Sequence, residues 1–148
     1  MTDMPLPDLR QTGSFDFFTT ESLRIADLDM NAHVNNVAFI QLMENARNRF
    51  IDTRTPLKRG AKMTIMLVRF EVDFVSQLHY PGQVQAACRV LELRRSSLTF
   101  GQALFDGTRC AATARATIVN VDRAAQKAAP FTDEARAVLA ALATPLSV

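Results

Sequence analysis

Residues 23–39 read LRIADLDMNAHVNNVAF, and this stretch indicates the architecture because a polar loop there joins a strand pattern to a helix pattern. The aromatic and β-branched residues from Phe15 to Ile25 predict a strand. The segment Asp27–Asn36 is too rich in Asp and Asn to continue it and is typical of a loop that ends in a helix cap. From Val37 to about Asp52, apolar residues recur three or four positions apart and predict one long helix: Phe39, Met43, Ala46 and Phe50.

Strand patterns dominate the chain after that helix. Four further strands are predicted, near Val68–Phe74, Val84–Val90, Leu98–Leu104 and Cys110–Val121. We expect alternate residues from Val68 to Phe74 to face the core. Short turns between the strands imply a largely antiparallel sheet, and Thr132 caps a short C-terminal helix. The order of strand, helix, four strands and helix predicts an α+β domain whose sheet packs against the long helix.

Length and composition exclude several classes of protein. The 148 residues fit one domain with its own core, and 17 basic against 15 acidic residues give a charge of +2, too balanced for a dedicated nucleic-acid binder. No apolar run approaches the roughly 20 residues of a membrane span, and the N-terminus lacks a signal pattern. We therefore expect a cytoplasmic protein that binds neither membrane nor nucleic acid. Residues 1–13 are expected to be loosely ordered, and 14–148 to form the single domain.

The two cysteines, Cys88 and Cys110, lie 22 positions apart within apolar stretches. A disulfide framework or a zinc site needs more ligands at closer spacing, so both are expected to be core residues. No metal and no cofactor are expected.

The polar loop is where the sequence concentrates chemistry. Asp29, Asn31 and His33 stand directly before the predicted helix, whose first N–H groups are unpaired and lie at the positive end of its dipole. Such N–H groups can hold a developing oxyanion while a carboxylate or imidazole handles water. The alternative is structural: Asn35 or Asn36 caps the helix, the aspartates form Asx turns, and His33 is an ordinary loop residue. Composition alone favours this alternative.

The order of residues favours catalysis instead. Residues 24–39 follow the pattern R-x-x-D-x-D-x-x-x-H-V-N-N-x-x-F, and Glu44-Asn45-Ala46-Arg47 follows downstream. Over residues 23–50 the chain closely resembles the hotdog-fold acyl thioesterases, namely the 4-hydroxybenzoyl-CoA thioesterase-like group and the acyl-ACP thioesterases. The resemblance implies a curved antiparallel sheet wrapped around one long helix. It also implies an acyl-CoA or acyl-carrier thioester as substrate, a role in fatty acid metabolism, and a homodimer or homotetramer that pairs subunits edge to edge. Active sites in that family lie at the dimer interface.

The same resemblance implies roles for individual residues. Asp29 matches the catalytic aspartate of the 4-hydroxybenzoyl-CoA type, and Asn36 the residue whose backbone N–H polarises the thioester carbonyl. Asp29, Asn31 and His33 match an aspartate, asparagine and histidine of the acyl-ACP branch. We expect Asp29 to act as general base or as nucleophile, with Asn31 and His33 orienting it or the water.

Glu44 is the competing carboxylate. Another branch of the family uses a glutamate two turns into the helix, and Glu44 occupies that position. Its structural alternative is a helix-surface contact with Arg47 or Asn48, which we expect ahead of a catalytic role.

The sequence departs from the family pattern at two positions. Ala32 replaces a common glycine, so the turn is expected to avoid a positive φ there. Phe39 replaces the usual tyrosine and keeps the ring without its hydroxyl.

Substrate-binding residues are expected at one strand end and on the long helix. Arg94 and Arg95 suit the phosphates of CoA because arginine binds phosphate through paired N–H donors; an ordinary solvated turn is the alternative. Ser97, in the family-like stretch Arg95-Ser96-Ser97-Leu98, and Phe39 complete the set.

Two other functions compete with thioester hydrolysis. A hotdog hydratase or dehydratase also needs Asp and His in one loop, but its usual motif D-x-N-P-[LIV]-H places the histidine five residues after the aspartate. Here His33 follows Asp29 by four, and no proline intervenes. The other alternative is a non-catalytic acyl-CoA-binding module of the same fold.

Overall fold

The computed structural model describes residues 5–143. Residues 1–4 of the expected N-terminal segment and residues 144–148 of the expected domain lie outside the described residues. The helices are α1 (Asn36–Arg54) and α2 (Asp133–Leu142), and the strands are β1 (Phe18–Ser22), β2 (Met63–Phe74), β3 (Gln83–Leu93), β4 (Ser97–Asp106), β5 (Arg109–Asp122) and β6 (Lys127–Ala128). No helix among these residues is long and apolar enough to cross a membrane.

The strands form one antiparallel sheet in the order β1-β3-β4-β5-β2, with the short β6 added beside β5. The sheet curls around α1, which packs against β1, β3 and β4. This arrangement confirms the predicted α+β hotdog fold. Because β2 pairs only with β5 in the described chain, its other edge is free, and β2 lies at one side of the sheet.

Helix α1 confirms the predicted helix and extends it by one residue at the start and two at the end. Its apolar stripe lies on the sheet: Ala38, Phe39, Met43, Ala46 and Phe50 are all at most 4% exposed. Burial of each of the larger side chains, Phe39, Met43 and Phe50, stabilises the fold by about 1.5–3 kcal/mol. Helix formation here therefore depends on packing as well as on local propensity.

The first predicted strand is shorter than expected. Only Phe18–Ser22 pairs with β3, whereas Ile25 begins a single 3₁₀ turn that ends at Asp27. The prediction of strand up to Ile25 was wrong because Asp27 accepts a hydrogen bond from the Arg24 backbone N–H, which turns the chain out of the sheet. A short-range side-chain contact thus overrides β-propensity at this point.

The predicted burial pattern of β2 holds only in part. Phe70 and Val72 pack against the core, but Val68 is 60% exposed and Phe74 is 45% exposed. At Val68 the pairing with β5 skips a residue, because Leu67 faces Ile118 and Arg69 faces Thr117. Such a bulge interrupts the alternation of faces, and an edge strand leaves its side chains uncovered on one side.

Helix α2 is capped by Thr132 as predicted, and the Thr132 hydroxyl oxygen accepts a hydrogen bond from the Ala135 N–H at 3.1 Å. Leu139 is fully buried, and Leu142 packs beside the same core cluster. Val138, on the same helix, is 37% exposed.

Candidate active site

Asp27 organises the polar loop from within. It is 6% exposed, and its carboxylate accepts hydrogen bonds from the Arg24 N–H at 2.8 Å and from the Arg24 guanidinium at 2.9 Å. Its backbone carbonyl accepts the Asn35 N–H at 2.7 Å, which ties the start of the loop to its end. Burial raises the pKa of Asp27, but the bonds from Arg24 outweigh burial and hold that pKa below its ordinary value.

The loop folds back on itself between Leu28 and Val34, which form an isolated antiparallel bridge. The Asp29 N–H donates a hydrogen bond to the His33 carbonyl at 2.8 Å, which closes the turn. Ala32 has φ +60°, so the expectation that alanine would avoid a positive φ was wrong. The bridge and the closing bond fix the turn strongly enough to hold alanine in a conformation that glycine adopts more easily.

The Asp29 carboxylate is oriented by the turn that it begins. Its Oδ1 accepts the Asn31 N–H at 2.8 Å and the His33 N–H at 3.0 Å. Its Oδ2 has no hydrogen-bond partner within residues 5–143. One carboxylate oxygen is therefore held by backbone donors while the other is free to meet a substrate or water.

The start of α1 supplies a hydrogen-bond donor next to this carboxylate. The Asn35 side chain caps the helix by accepting the Val37 N–H at 2.9 Å, and the Ala38 and Phe39 N–H groups reach the Asn35 carbonyl. The Asn36 N–H donates to no acceptor in the part of the chain described by the structure. An unpaired N–H at a helix N-terminus is suited to hold a negatively charged oxygen.

A cleft of about 300 Å³ brings these groups together. It is lined by Asp29, His33, Val34, Asn36, Phe39, Phe74, Val75, Ser76 and Gln77. Four of the expected residues therefore share one cavity: Asp29, His33, Asn36 and Phe39. The Phe39 and Phe74 rings lie 5.5 Å apart between centroids and join α1 to the end of β2.

The far wall of the cleft, Phe74–Gln77, was missed from the sequence. These residues carry no motif, and they are about 40 positions from the loop along the chain. Only the pairing of β2 with β5 brings them beside Asp29. The alternation that predicted Phe74 to be buried was the one available signal, and it pointed to the core instead of the cleft.

Asn31 and Glu44 do not line the cleft. Asn31 is exposed and contributes its backbone N–H to Asp29, while its side chain makes no hydrogen bond among the described residues. Glu44 is exposed on α1, and its carboxylate makes no ion pair or hydrogen bond within residues 5–143. The expected contact of Glu44 with Arg47 or Asn48 takes the form of neither an ion pair nor a hydrogen bond there, because the buried Arg47 donates to Gln102 and the Asn48 side chain accepts from Arg59.

The expected phosphate-binding residues lie elsewhere on the sheet. Arg94 and Ser97 line a groove on the outer face, where the Arg94 guanidinium pairs with Glu92 at 3.0 Å. Arg95 is exposed, and its carbonyl accepts hydrogen bonds from Phe131 and Arg136, which anchor α2. None of the three lines the cleft that holds Asp29.

Strand pairing shows how far apart the two regions are. Ser97 faces Val119, which faces Met66 near the start of β2, whereas the cleft lies at Phe74, the end of β2. Eight residues of strand span about 26 Å. Within one chain, the strand end next to Arg94 and the cleft therefore lie at opposite ends of the sheet.

A buried arginine beneath the helix was not predicted as a distinct feature. Arg47 is 5% exposed and donates to the side-chain Oε1 of Gln102 at 3.0 Å, and the Nε2 of Gln102 donates to the Met43 backbone carbonyl at 2.7 Å. Its guanidinium carbon lies 5.7 Å from the Phe70 ring centroid. Burial lowers the pKa of Arg47, and no carboxylate of the described residues forms an ion pair with it. The signal was present in the sequence, since Arg47 occupies the apolar stripe one position after Ala46.

Both cysteines are free thiols. Cys88 is fully buried and Cys110 is half-buried, and burial raises the pKa of each. These positions agree with their prediction as small core residues. Residues 5–143 contain no group of three or more His, Cys, Asp or Glu side chains placed to hold a metal ion.

A family model described as the thioesterase-like superfamily matches residues 23–139, a span that runs from the end of the first strand to α2. The chain belongs to the thioesterase-like superfamily. This membership agrees with the predicted resemblance and with the fold.

Individual proteins are similar over nearly the whole chain. The PA5185 protein from Pseudomonas aeruginosa strain PAO1 is 30% identical with a TM-score of 0.80, over 93% of this chain and 96% of that one. A Thermus thermophilus thioesterase, solved in complex with coenzyme A and zinc, is 29% identical with a TM-score of 0.78, over 90% of this chain and 98% of that one. The uncharacterised YsmA protein of Bacillus subtilis (strain 168) is 26% identical over 93% of this chain and 92% of its own.

Proposed function

We propose that this member of the thioesterase-like superfamily hydrolyses an acyl thioester to a free acid and a thiol. One observation carries the proposal: a single cleft is lined both by Asp29, whose Oδ2 accepts no hydrogen bond within residues 5–143, and by Asn36, whose N–H donates none there. Hydrolysis of a thioester requires an activated nucleophile and stabilisation of the oxyanion that forms at the carbonyl. The cleft offers one group suited to each task.

The chemistry follows from these two groups. The carbonyl oxygen accepts the Asn36 N–H, and the helix dipole stabilises the charge that develops there. Asp29 then takes a proton from water, whose oxygen attacks the carbonyl carbon, or attacks that carbon itself to form a mixed anhydride that water cleaves. In both routes the C–S bond breaks and the sulfur leaves as a thiolate, which takes up a proton from the protonated acid or from water. His33 lines the same cleft, and we propose that it orients the water.

The test is the release of free thiol from a panel of acyl-CoA substrates by wild type, Asp29→Asn and Glu44→Gln. We expect Asp29→Asn to lower kcat by about 10²–10⁴, because it removes the base or nucleophile. Glu44→Gln is the matched control and is expected to stay within about twofold of wild type. The reverse pattern would make Glu44 the catalytic carboxylate. Binding of acyl-CoA without thiol release would favour a binding module, and hydration of an enoyl-CoA would favour a hydratase.

Coenzyme A is the proposed thiol, and a second copy of the chain is proposed to help bind it. The Thermus thermophilus relative binds coenzyme A. In a single chain of this protein, Arg94 and Arg95 precede Ser97, which is level with Met66, and about 26 Å of strand separates Met66 from the cleft at Phe74. If the free edges of two β2 strands pair antiparallel, the start of one strand lies beside the end of the other. The arginines of one copy then approach the cleft of its partner.

The free edge of β2 supports this pairing. Apolar side chains along it are 38–60% exposed: Met66, Leu67, Val68, Phe74 and Val75. An apolar edge strand that presents unpaired backbone groups is a site where another strand adds. Two of these residues, Phe74 and Val75, also belong to the far wall of the cleft. Pairing of two β2 strands would therefore enclose a cavity that is open to solvent in the single chain.

Substitution of Val68, near the middle of β2, tests the dimer. We expect wild type to have twice the 16.4 kDa mass of one chain, or a multiple of it, in light scattering. Val68→Lys places like charges near the two-fold axis and should yield monomers with little activity. Val138→Lys changes another exposed valine, on α2, and should leave mass and activity unaltered. A wild type that is monomeric and active would refute the shared site.

Mixed dimers test whether the arginines act across the interface. Asp29→Asn lacks the carboxylate, whereas the double variant Arg94→Ala/Arg95→Ala lacks the phosphate-binding cations. Each should be weak alone, and the double variant should show a raised KM for acyl-CoA with kcat retained. Mixing the two should restore about a quarter of wild-type sites if the residues act in trans, because half the dimers are mixed and each has one intact site. Activity no greater than the average of the separate variants would show that the arginines act within one chain or not at all.

A further inference from the structure

The far wall of the cleft, Phe74–Gln77, leaves β2 after its first residue and has no regular structure beyond it. Residues 75–82 connect β2 to β3 without helix or strand, and Gln77 is exposed at the cleft. The wall is attached to the start of β5, because the Val75 and Ser76 N–H groups both donate to the Ala111 carbonyl, at 2.9 and 3.1 Å. Leu78, 2% exposed, then fixes the chain in the core. Gln77 lies between these two attachments, and its own backbone N–H and side chain make no hydrogen bond within residues 5–143.

Arg109 contacts Gln77 from outside the cleft. Its Nη1 donates to the Ser76 hydroxyl oxygen at 2.6 Å and to the Gln77 carbonyl at 2.8 Å. The Ser76 hydroxyl in turn donates to the Cys110 carbonyl at 2.8 Å. The Nη2 of Arg109 donates to Asp106 at 2.9 Å across the β4–β5 hairpin, which fixes the guanidinium. One cation thus joins the hairpin to two successive residues of the wall.

The geometry points to Arg109 as a positioning residue of the hydrolytic cleft, acting through Gln77; this inference rests on the proposed function. Arg109 does not line the cleft, so it touches no substrate there. Its bond to the Gln77 carbonyl holds the backbone of a residue that lines the same cavity as Asp29 and His33. That side chain makes no hydrogen bond among the described residues, so its amide is available to bind water or the acyl carbonyl. A displacement of about 1 Å at such a group can lower a rate by about 10²-fold.

The contacts of Arg109 with Ser76, Gln77 and Asp106, here called the clamp, can be removed without unfolding the domain. The side chains of Arg109 and Asp106 are 43% and 54% exposed, and exposed ion pairs contribute little to the stability of a fold. When the guanidinium is removed, the buried Leu78 and the strand pairing of β5 still hold the fold, while the Val75 and Ser76 bonds to Ala111 open more often. Loss of Arg109 should therefore loosen the cleft while the domain stays folded.

The test compares Arg109→Ala and Arg109→Lys with Arg123→Ala. Arg123 follows the other end of β5, and its side chain makes no ion pair or hydrogen bond within residues 5–143. We expect Arg109→Ala to lower kcat about tenfold or more with its melting temperature close to that of Arg123→Ala. Arg109→Lys keeps one charged donor and should recover part of the loss. A kcat for Arg109→Ala within twofold of that for Arg123→Ala would overturn the inference.

A double variant tests the route through Gln77. If Arg109 acts by placing that residue, Gln77→Ala and Arg109→Ala should not be additive, and the double variant should be no slower than the slower single one. Multiplied effects would mean that Arg109 acts on the cleft by another route, which would overturn the assignment.

Amide hydrogen exchange separates failure of the inference from failure of the proposed function. In Arg109→Ala, the Val75 and Ser76 amides should exchange about tenfold faster than in Arg123→Ala, whether or not the protein hydrolyses a tested substrate. If wild type releases no thiol but these amides respond, the proposed reaction is wrong and the clamp stands. If wild type is active and the amides do not respond, the clamp is wrong and the proposed reaction stands.

Discussion

The contact between Arg47 and Gln102 makes a sharp prediction about stability. Gln102 is fully buried, and its amide bridges the Arg47 guanidinium and the Met43 carbonyl of α1. The substitution Gln102→Leu keeps the volume and removes both bonds. The Met43 carbonyl still accepts a hydrogen bond within the helix. The Arg47 guanidinium, by contrast, loses its hydrogen bond to Gln102 while Arg47 is only 5% exposed.

The magnitude follows from the charge. A hydrogen bond to a charged group contributes about 1.5–3 kcal/mol, and an unsatisfied buried donor adds a desolvation penalty, so Gln102→Leu should cost about 2–4 kcal/mol. Arg47→Met removes the cation together with its desolvation cost and leaves only a neutral amide oxygen unpaired, so it should cost about 1–3 kcal/mol. The double variant replaces a polar pair by an apolar one of similar shape, so only the lost contact with Phe70 should count and the cost should be about 0–1 kcal/mol. The contact of Arg47 with Phe70 is lost in both variants that carry Arg47→Met, so it cancels from the coupling energy.

Urea unfolding at one fixed protein concentration measures the four free energies, since self-association would otherwise change them. The double variant should be more stable than Gln102→Leu alone, with a coupling energy of about 2 kcal/mol or more. Additive effects within about 0.5 kcal/mol would refute the reasoning, because they would mean that Gln102 does not satisfy the buried guanidinium.

Three further predictions concern the loop. Ala32→Gly should keep the free energy of unfolding within about 0.5 kcal/mol, since relief of the left-handed φ offsets the entropy of glycine, whereas Ala32→Val should cost about 2 kcal/mol in urea unfolding. Asp27 has a lowered pKa, so its carboxylate stabilises the fold above about pH 4 and this contribution is lost as the pH falls through the folded-state pKa. Asp27→Asn should therefore be less stable than wild type at pH 7, and the difference should shrink in urea series toward about pH 3; a constant difference would exclude the charge as its cause. Asn35→Ala and Thr132→Ala each remove a helix cap worth about 1 kcal/mol, but only Asn35→Ala should lower kcat, because it frays the turn that presents the Asn36 N–H.

Local sequence was enough to predict the helices and the loop. The stripe of Phe39, Met43 and Phe50 depends on the helical repeat, and the caps at Asn35 and Thr132 are contacts within three residues, so neighbouring residues alone specify them. The motif of residues 24–39 likewise predicted four residues that share the cleft. These features need no knowledge of distant parts of the chain.

Predictions failed where a distant or competing contact overrode local preference. The bond from the Arg24 N–H to Asp27 ended the first strand early, and the bulge at Val68 interrupted an alternation that looked regular. The turn at Ala32 adopted the conformation expected of glycine because the bridge around it is closed by hydrogen bonds. In each case local propensity, worth a few tenths of a kcal/mol to about 1 kcal/mol, was outweighed by a structural contact.

The order of residues specifies which side chains could do acyl chemistry and which helix carries them, because motif and periodicity are properties of adjacent positions. What faces Asp29, and what does not, depends on tertiary packing. The pairing of β2 with β5 brings Gln77 to the cleft and lets Arg109 reach its carbonyl, while the pairing of β4 with β5 carries Arg94 to the opposite end of the sheet. Contacts of that kind depend on the register between strands, and register is set by packing across the whole domain, so no short segment encodes it.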